Sequence, residues 1–141
     1  MHHPIRIGNV TYHFHSSRHE TNGVMDLYEM IIPPQAQLGL PHLHREYDET
    51  IIGIDGIVTW TIGKDLVPVS SGQHLNIPRG IEHSYANLHT TTARILCILT
   101  PGLLGPEYFE ELAALYNASG PTNYAEIGAM MTRYGVIPAS I

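Results

Sequence analysis

The feature that most constrains this chain is a pair of histidines separated by one residue, His42 and His44, followed closely by Glu49. In a β-strand successive side chains alternate between faces, so the two imidazoles point to the same side. Because four residues separate His44 from Glu49, the chain must turn or bulge there for the carboxylate to rejoin that face. With His83 from a distant strand, we predict a metal site of three imidazoles and one carboxylate. This ligand set suits a divalent Fe, Mn, Co, Ni, Cu or Zn ion.

The spacing of these residues resembles the two sequence motifs of the cupin superfamily. The first motif, G(X)5HXH(X)3,4E(X)6G, is matched by His42, His44, Glu49 and Gly56. Its opening glycine is replaced by Ala36, which puts the conformation of the loop before the ligand strand in question rather than the ligands. The second motif, G(X)5PXG(X)2H(X)3N, is matched at every fixed position by Gly72, Pro78, Gly80, His83 and Asn87. The resemblance implies a jelly-roll β-barrel, also called a double-stranded β-helix.

Short apolar runs separated by turn residues fill the first two thirds of the chain. Residues 5–16 predict one or two strands, and a further strand ends at Pro33 because proline has no N–H to donate. Asp55-Gly56 predicts a hairpin, since its turn needs a positive φ. Short strands with turn signals at about 8–12-residue spacing are typical of an all-β sandwich or barrel. We therefore predict an all-β fold, with the barrel in residues 1–100.

The remaining residues, 101–141, change from a strand pattern to a helical one. Apolar residues at 108, 109, 112, 115 and 116 form one helical stripe with acidic residues in its first turn. Thr122 is predicted to cap a second helix that ends at Gly135. We expect this two-helix C-terminal tail to pack on the barrel within the same domain. The tail resembles that of small quercetin-dioxygenase-like cupins in the segments Thr100-Pro101-Gly102, Phe109-Glu110-Glu111 and Arg133-Tyr134-Gly135-Val136.

Charge and cysteine content exclude several classes of function. Seven basic residues against thirteen acidic ones give a formal charge of −6 without any cluster of Lys or Arg, so nucleic acid is not an expected partner. No apolar window reaches membrane-spanning length and the N-terminus lacks a signal-peptide core, so we expect no membrane partner and a cytoplasmic location. The single cysteine, Cys97, lies in an apolar run and is expected to be a buried small hydrophobe rather than a nucleophile.

Two other polar pairs are candidates for a functional role, the first as an alternative metal site and the second as a wall of the pocket. His13 and His15 form a second His-X-His pair, but no carboxylate follows at the motif spacing, so we interpret them as a solvent-facing pair. His74 and Asn76 lie on a strand whose other face is apolar. We interpret them as an outer face, with a pocket wall as the alternative.

The ligand set and the resemblance together favour chemistry at the metal. Four protein ligands leave one or two positions open on a five- or six-coordinate ion; the alternative is a closed, tetrahedral structural zinc site, which the same four ligands could also form. The resemblance implies a dioxygenase acting on a small flavonol-like or enediol-like substrate. Glu49 is the candidate catalytic base, because burial in an apolar barrel is expected to raise the proton affinity of a carboxylate. The alternatives are a non-redox isomerase, lyase or hydrolase acting on a small metabolite, and a small-molecule-binding barrel without turnover.

Beyond the ligands, the sequence offers candidates for the substrate pocket and for assembly. The residues that we expect to line or guard the pocket are Tyr28, Tyr47, Trp60, Arg79 and Tyr85. Arg79 is placed to meet an anionic substrate at the barrel mouth, with a solvated turn residue as the alternative. The resemblance also implies a homodimer, for which residues 5–16 and the amphipathic tail offer contact surfaces.

Overall fold

A computed structural model describes residues 2–37 and 40–139. The predicted domain ranges also include Met1, Leu38, Gly39, Ser140 and Ile141, which lie outside the described residues. The strands of the described residues are β1 (Ile5–Ile7), β2 (Val10–Ser16), β3 (Asp26–Ile32), β4 (His42–His44), β5 (Asp48–Asp55), β6 (Val58–Ile62), β7 (Asp65–Val69), β8 (His74–Ile77), β9 (His83–Ala86), β10 (Ala93–Thr100) and β11 (Val136–Pro138). The helices are α1 (Gly105–Tyr116) and α2 (Tyr124–Arg133).

The strands form two antiparallel sheets around one hydrophobic core. The six-stranded sheet has the order β1-β2-β3-β10-β5-β8, and the five-stranded sheet has the order β11-β4-β9-β6-β7. Side chains alternate as expected for a sheet with one buried face. Along β10, for example, Ile95, Cys97 and Leu99 are buried while Arg94 is exposed. The predicted all-β jelly-roll fold is confirmed.

The Asp55-Gly56 turn shows why the first motif ends in glycine. Gly56 has a φ of 67°, in the left-handed region. A Cβ at this position would lie 2.7 Å from the carbonyl oxygen of Thr92 and 2.8 Å from the Cα of Ala93. Both the turn between β5 and β6 and the close approach of the neighbouring chain therefore require glycine.

Asn87, the last residue of the second motif, holds the loop that precedes β4. Its side-chain amide nitrogen donates to the carbonyl oxygens of Ile32, Pro33 and Thr91 at 2.9, 3.1 and 2.9 Å. Its backbone N–H donates to the carbonyl oxygen of Ala36 at 2.9 Å. In this loop Gln35, rather than Ala36, has a positive φ, of 64°. Alanine therefore replaces the motif glycine without backbone strain.

The two helices of the tail lie where the apolar stripes predict them. The N-cap of α2 is Asn123 rather than Thr122, because the Asn123 side chain accepts a hydrogen bond from the backbone N–H of Glu126 at 3.1 Å. The predicted cap is therefore wrong by one residue. Threonine and asparagine are both good N-caps, so residue type alone does not distinguish them. Within the described residues, neither helix is long and apolar enough to cross a membrane.

Strand β11, which joins the tail to the barrel, is not predicted by the sequence pattern. Val136 pairs with His44 and Pro138 pairs with His42 in an antiparallel ladder. Three residues that end in proline carry no period-2 pattern, and proline is tolerated in a strand mainly at a sheet edge. The C-terminal tail is therefore bound by backbone hydrogen bonds to the strand that carries two of the predicted ligands.

Asp26 anchors the start of the tail at its other end. Its carboxylate is 0% exposed and accepts backbone N–H groups from three residues. Oδ1 accepts from Arg18 at 2.8 Å, and Oδ2 accepts from Leu104 at 3.2 Å and Gly105 at 3.1 Å. Because Gly105 begins α1, the carboxylate also lies at the positive end of the helix dipole.

We expect Asp26→Ala to lower the free energy of unfolding by about 3–5 kcal/mol, because three backbone donors would be left buried without an acceptor. Asp26→Asn keeps one acceptor oxygen and should cost roughly half as much. Urea denaturation of both variants measures the two losses. An alanine variant as stable as the unmodified chain would show that Asp26 does not anchor the tail.

Candidate metal centre

The four predicted ligands come together from both sheets. Strand β4 carries His42 and His44, β9 carries His83, and β5 of the opposite sheet carries Glu49. His42 and His83 are directly paired in the β4–β9 ladder. Between His44 and Asp48 the chain leaves strand geometry, as the odd spacing predicts. This interruption lets β5 enter the other sheet and bring its carboxylate back to the histidines.

The donor atoms of these residues surround one small space. The nitrogen donors of His42, His44 and His83 lie within 4.8 Å of one another. Oε1 of Glu49 is 3.6 Å from Nε2 of His83 and 3.7 Å from Nδ1 of His44. His44, Glu49 and His83 are only 5%, 5% and 3% exposed. Two bonds of about 2.0–2.2 Å to one divalent ion span at most about 4.4 Å, so the separations of Glu49 Oε1 from His83 and His44 fit a shared ion.

Hydrogen bonds to backbone carbonyls fix two of the imidazole rings. Nδ1–H of His42 donates to the carbonyl oxygen of Leu40, and Nδ1–H of His83 donates to that of Ile81, both at 2.9 Å. A ring that donates through Nδ1 keeps a lone pair on Nε2 for a metal. In the described part of the chain, the buried atoms Nδ1 of His44 and Nε2 of His83 have no hydrogen-bond partner. These orphaned donors fit a bound metal ion.

Burial sets the protonation of the first two histidines. It lowers the pKa of His42 to about 4 and that of His44 to about 3, and the charge of neighbouring imidazoles adds to the shift. Both rings are therefore neutral near pH 7, which is the form that binds metal ions.

His83 and Glu49 shift in the opposite sense because they face each other. Burial alone would lower the pKa of His83, but the adjacent carboxylate outweighs it and raises that pKa. Burial alone would raise the pKa of Glu49, but His83 and the other imidazoles outweigh it and lower that pKa. The expectation of a raised proton affinity for Glu49 is therefore wrong: three histidines counteract the desolvation of its carboxylate.

These shifts predict the acid stability of the metal-free protein. The unfolded chain takes up protons on its histidines near pH 6.5, whereas folded His42 and His44 resist protonation until about pH 4 and 3. The free energy of unfolding should therefore fall as the pH is lowered through this window, by on the order of 5 kcal/mol. Glu49, with its lowered pKa, adds stability that is lost as the pH falls through its folded value. His83, with its raised pKa, opposes the loss, because its contribution is present at low pH and disappears as the pH rises through its folded value.

Denaturation of chelator-treated protein at a series of pH values measures this dependence, and His44→Asn should flatten it. A stability that stays constant or rises between pH 6.5 and 4 would contradict the assignment of neutral, buried imidazoles.

Four of the five pocket candidates lie beside this centre. Tyr28, Tyr47, Trp60 and Tyr85 line the same cavity as the predicted ligands, and the cavity has a volume of about 80 Å³. Arg79 does not line it. Its side chain is 48% exposed, and its guanidinium donates to both carboxylate oxygens of Asp48 at 3.2 Å. Arg79 is therefore a solvated turn residue in an ion pair, and not a residue at the barrel mouth that meets an anionic substrate.

The tail supplies a wall of the cavity that the sequence analysis did not assign to the site. The helical residues that line the cavity include Tyr108, Phe109, Leu112, Tyr116, Ile127 and Met131. Their helical spacing predicts an apolar face, but the same spacing fits packing on a barrel or around a ligand. Only the position of the tail over the cavity distinguishes the two roles.

The competing polar pairs lie away from the cavity. His13 is half-buried and His15 is exposed on β2, with ring centroids 5.3 Å apart. Glu29 pairs with His13 in register, but Arg94 donates two hydrogen bonds to its carboxylate. Among the residues that the structure describes, the only cluster of three or more potential metal ligands is the one formed by His42, His44 and His83.

Two further expectations about individual side chains are confirmed. His74 and Asn76 are exposed, as the outer-face interpretation predicts. Cys97 is 0% exposed, and burial raises the pKa of its thiol, so the sulfur stays protonated. Cys97 is therefore a buried small side chain and not a nucleophile.

Comparisons with solved structures identify proteins with a similar fold. A sugar phosphate isomerase from Silicibacter pomeroyi superposes with a TM-score of 0.60 at 18% identity over 69% of this chain and 62% of that one. A predicted oxalate decarboxylase from Thermotoga maritima superposes with a TM-score of 0.64 at 24% identity, over 70% of this chain and 91% of that one. A putative sugar phosphate isomerase from Acidithiobacillus ferrooxidans superposes with a TM-score of 0.51 at 27% identity, over 55% of this chain and 50% of that one. This chain therefore spans less than two thirds of either isomerase.

Sequence comparison identifies the family. No curated protein matches the chain. The cupin domain family matches residues 28–99, just over half of the 141 residues, and this range contains all four predicted ligands. The chain therefore belongs to the cupin superfamily.

Proposed function

We propose that this chain is a metal-dependent dioxygenase that acts on a small flavonol-like or enediol-like substrate. The observation that carries the proposal is the convergence of three imidazoles and one ionised carboxylate beside an aromatic cavity. His42, His44, Glu49 and His83 would hold one divalent Fe, Mn, Co, Ni, Cu or Zn ion. When bound, such an ion supplies Lewis acidity and, if it is redox-capable, one-electron chemistry.

The protein's own groups bind the substrate and move its proton. Glu49 is ionised because its pKa is lowered, so its carboxylate can accept the proton that a substrate hydroxyl loses. The phenol of Tyr47 and the indole N–H of Trp60 are buried without partners in the described residues, so they are available to substrate oxygens. The apolar walls exclude water and strengthen these interactions. Dioxygenation adds both atoms of one dioxygen molecule to the substrate, so it requires no external reductant.

An oxygen electrode tests the proposal on protein reconstituted separately with each redox-capable ion. We expect at least one ion to support oxygen uptake with a panel of flavonols and simple enediols, with one dioxygen consumed per substrate. Substrate conversion that proceeds equally well without oxygen would contradict a dioxygenase.

A non-redox isomerase or lyase is the second candidate. It is favoured by the names of the structural neighbours, of which the Acidithiobacillus protein, at 27% identity, is described as a putative sugar phosphate isomerase. In that reaction a bound ion would supply only Lewis acidity, and Glu49 would move a proton between two substrate positions. Turnover under argon with redox-inert zinc distinguishes this candidate from the first.

We further propose that the chain acts in the cytoplasm as a homodimer. The buried, unpaired Cys97 supports the location. The first predicted contact surface is partly engaged within the chain, since Asn117 of the tail hydrogen-bonds to the backbone of Arg6 and Gly8. Support for a dimer comes instead from the outer face of the six-stranded sheet, where six half-buried aliphatic side chains lie on adjacent strands: Leu27, Ile31, Ile52, Ile54, Leu96 and Ile98. A second copy would cover this face, and light scattering measures the mass.

A further inference from the structure

The helical tail closes the cavity opposite the barrel strands. Strand β11 is paired with β4, so the tail is fixed to the strand that carries His42 and His44. From there α2 and α1 place Met131, Ile127 and Leu112 in the cavity lining. A substrate oxygen at the metal centre therefore has the rest of its molecule against the barrel aromatics and this helical wall.

The cavity offers no cation to an anionic substrate beyond its metal centre. Among the described residues that line it there is no lysine or arginine, and its only carboxylate is Glu49. Two arginines outside the lining are already paired: Arg133 of α2 with Glu111, and Arg79 with Asp48. A phosphate or sulfonate carried into this space would lose its hydration without gaining an ion pair, which is strongly unfavourable.

The uncharged oxygen atoms of a ligand, by contrast, find hydrogen-bond donors in this cavity. The hydroxyl of Tyr47 and the indole N–H of Trp60 are buried without hydrogen-bond partners in the described part of the chain. Leaving such a group unpaired costs about 1–3 kcal/mol, so a ligand with uncharged acceptor oxygens recovers that cost. The rings of Trp60 and Tyr85, whose centroids are 5.4 Å apart, add an apolar surface for a planar body.

We infer that the site selects substrates whose body beyond the metal-binding oxygens is uncharged and apolar, and that the helical tail is the wall that imposes this selection. The inference rests on the proposed metal-centred function, because the metal fixes where the substrate oxygens bind. The substrate that we infer for this chain therefore differs from the molecules for which two structural neighbours are named, a sugar phosphate and oxalate, because both of those molecules are anions.

The test measures binding rather than turnover. Trp60 is the single tryptophan and lines the cavity, so its fluorescence reports a bound ring. The probes are a naphthalenediol with adjacent hydroxyls and its ring monosulfonate, titrated into the zinc-loaded full chain. The two probes share a chelating group and a ring and differ in one charge. We expect the sulfonate to bind at least about tenfold more weakly, a difference of about 1.4 kcal/mol.

Variants that add a positive charge to the tail test whether the tail imposes the preference for the neutral probe. Leu112→Lys places a cation in the cavity lining and should reduce the preference for the neutral probe at least about tenfold. Tyr124→Lys, at a lining residue that is 50% exposed, is a second variant that disturbs packing less. The controls are Leu112→Met, which adds no charge, and Ala114→Lys, which adds the same charge on the exposed face of α1. Both controls should keep the preference of the unmodified chain.

Equal or tighter binding of the sulfonate by the unmodified chain would overturn the inference. So would a preference that Ala114→Lys shifts as much as Leu112→Lys, or zinc-loaded protein whose Trp60 fluorescence neither probe changes. Failure of the proposed function gives a different result, namely a chain that retains no ion on dialysis or consumes no oxygen. In that case the same probe preference is still expected with the metal-free chain, at lower affinity.

Discussion

His83→Ala is expected to lower the affinity for a divalent ion by more than about 100-fold, and to remove turnover, while the barrel stays folded. Loss of a residue that merely orients a ligand costs about 10–100-fold in affinity, so loss of a ligand should cost more. His83 is 3% exposed, and in the described residues the cluster of potential ligands holds no histidine besides His42 and His44 that could replace it. Metal content after dialysis, with circular dichroism as the check on folding, measures the effect.

His13→Ala is the matched control for this variant. Like His83→Ala it removes one histidine from a β-strand, but on the outside of β2, where Arg94 already pairs with the adjacent Glu29. Metal content and fold should stay unchanged. Loss of the ion in this variant, with retention in His83→Ala, would show that the wrong histidine pair has been chosen. An unfolded His83→Ala chain would indicate a structural ion.

Glu49→Gln is expected to reverse the pKa shift of His83 and to slow turnover by about 10²–10⁴-fold, the usual range for loss of a general base. The carboxylate is what holds the pKa of His83 above its ordinary value, since burial alone lowers it. Without that charge the pKa of His83 should fall below 6.5, as those of His42 and His44 do.

An NMR titration of the imidazoles in the metal-free variant measures the first effect without a substrate. Steady-state oxygen uptake at saturating metal measures the second. Glu49→Asp, which restores a carboxylate on a shorter side chain, should recover the raised pKa of His83 more fully than the rate. A His83 pKa that is unchanged in Glu49→Gln would mean that the two side chains do not interact as the 3.6 Å separation indicates.

The parts of the site that follow from local sequence were predictable. The spacing of His42 and His44 gives a shared strand face, and the gap before Glu49 gives the interruption between β4 and β5. The hairpin at Gly56 follows from turn chemistry, which depends only on adjacent residues. These features are encoded within a few residues of each other, so pattern alone determines them.

The features that the sequence analysis missed depend on contacts between distant segments. Leu112 and Ile127 lie on apolar helical stripes that predict burial but not what they are buried against. Arg79 does not line the cavity and is paired with Asp48, which lies 31 residues away in the sequence. The direction of the Glu49 pKa shift depends on the distances of three imidazoles, which composition and spacing do not give.

The most direct test of the central claim is an X-ray absorption spectrum of the chain loaded with one ion. We expect about three imidazole nitrogens and at least one oxygen at about 2.0–2.2 Å, without sulfur. The spectrum of the His83→Ala chain, recorded at an ion concentration that restores occupancy, should show one imidazole fewer. A coordination shell without imidazole, or one that His83→Ala leaves unchanged, would contradict a metal centre formed by His42, His44, Glu49 and His83.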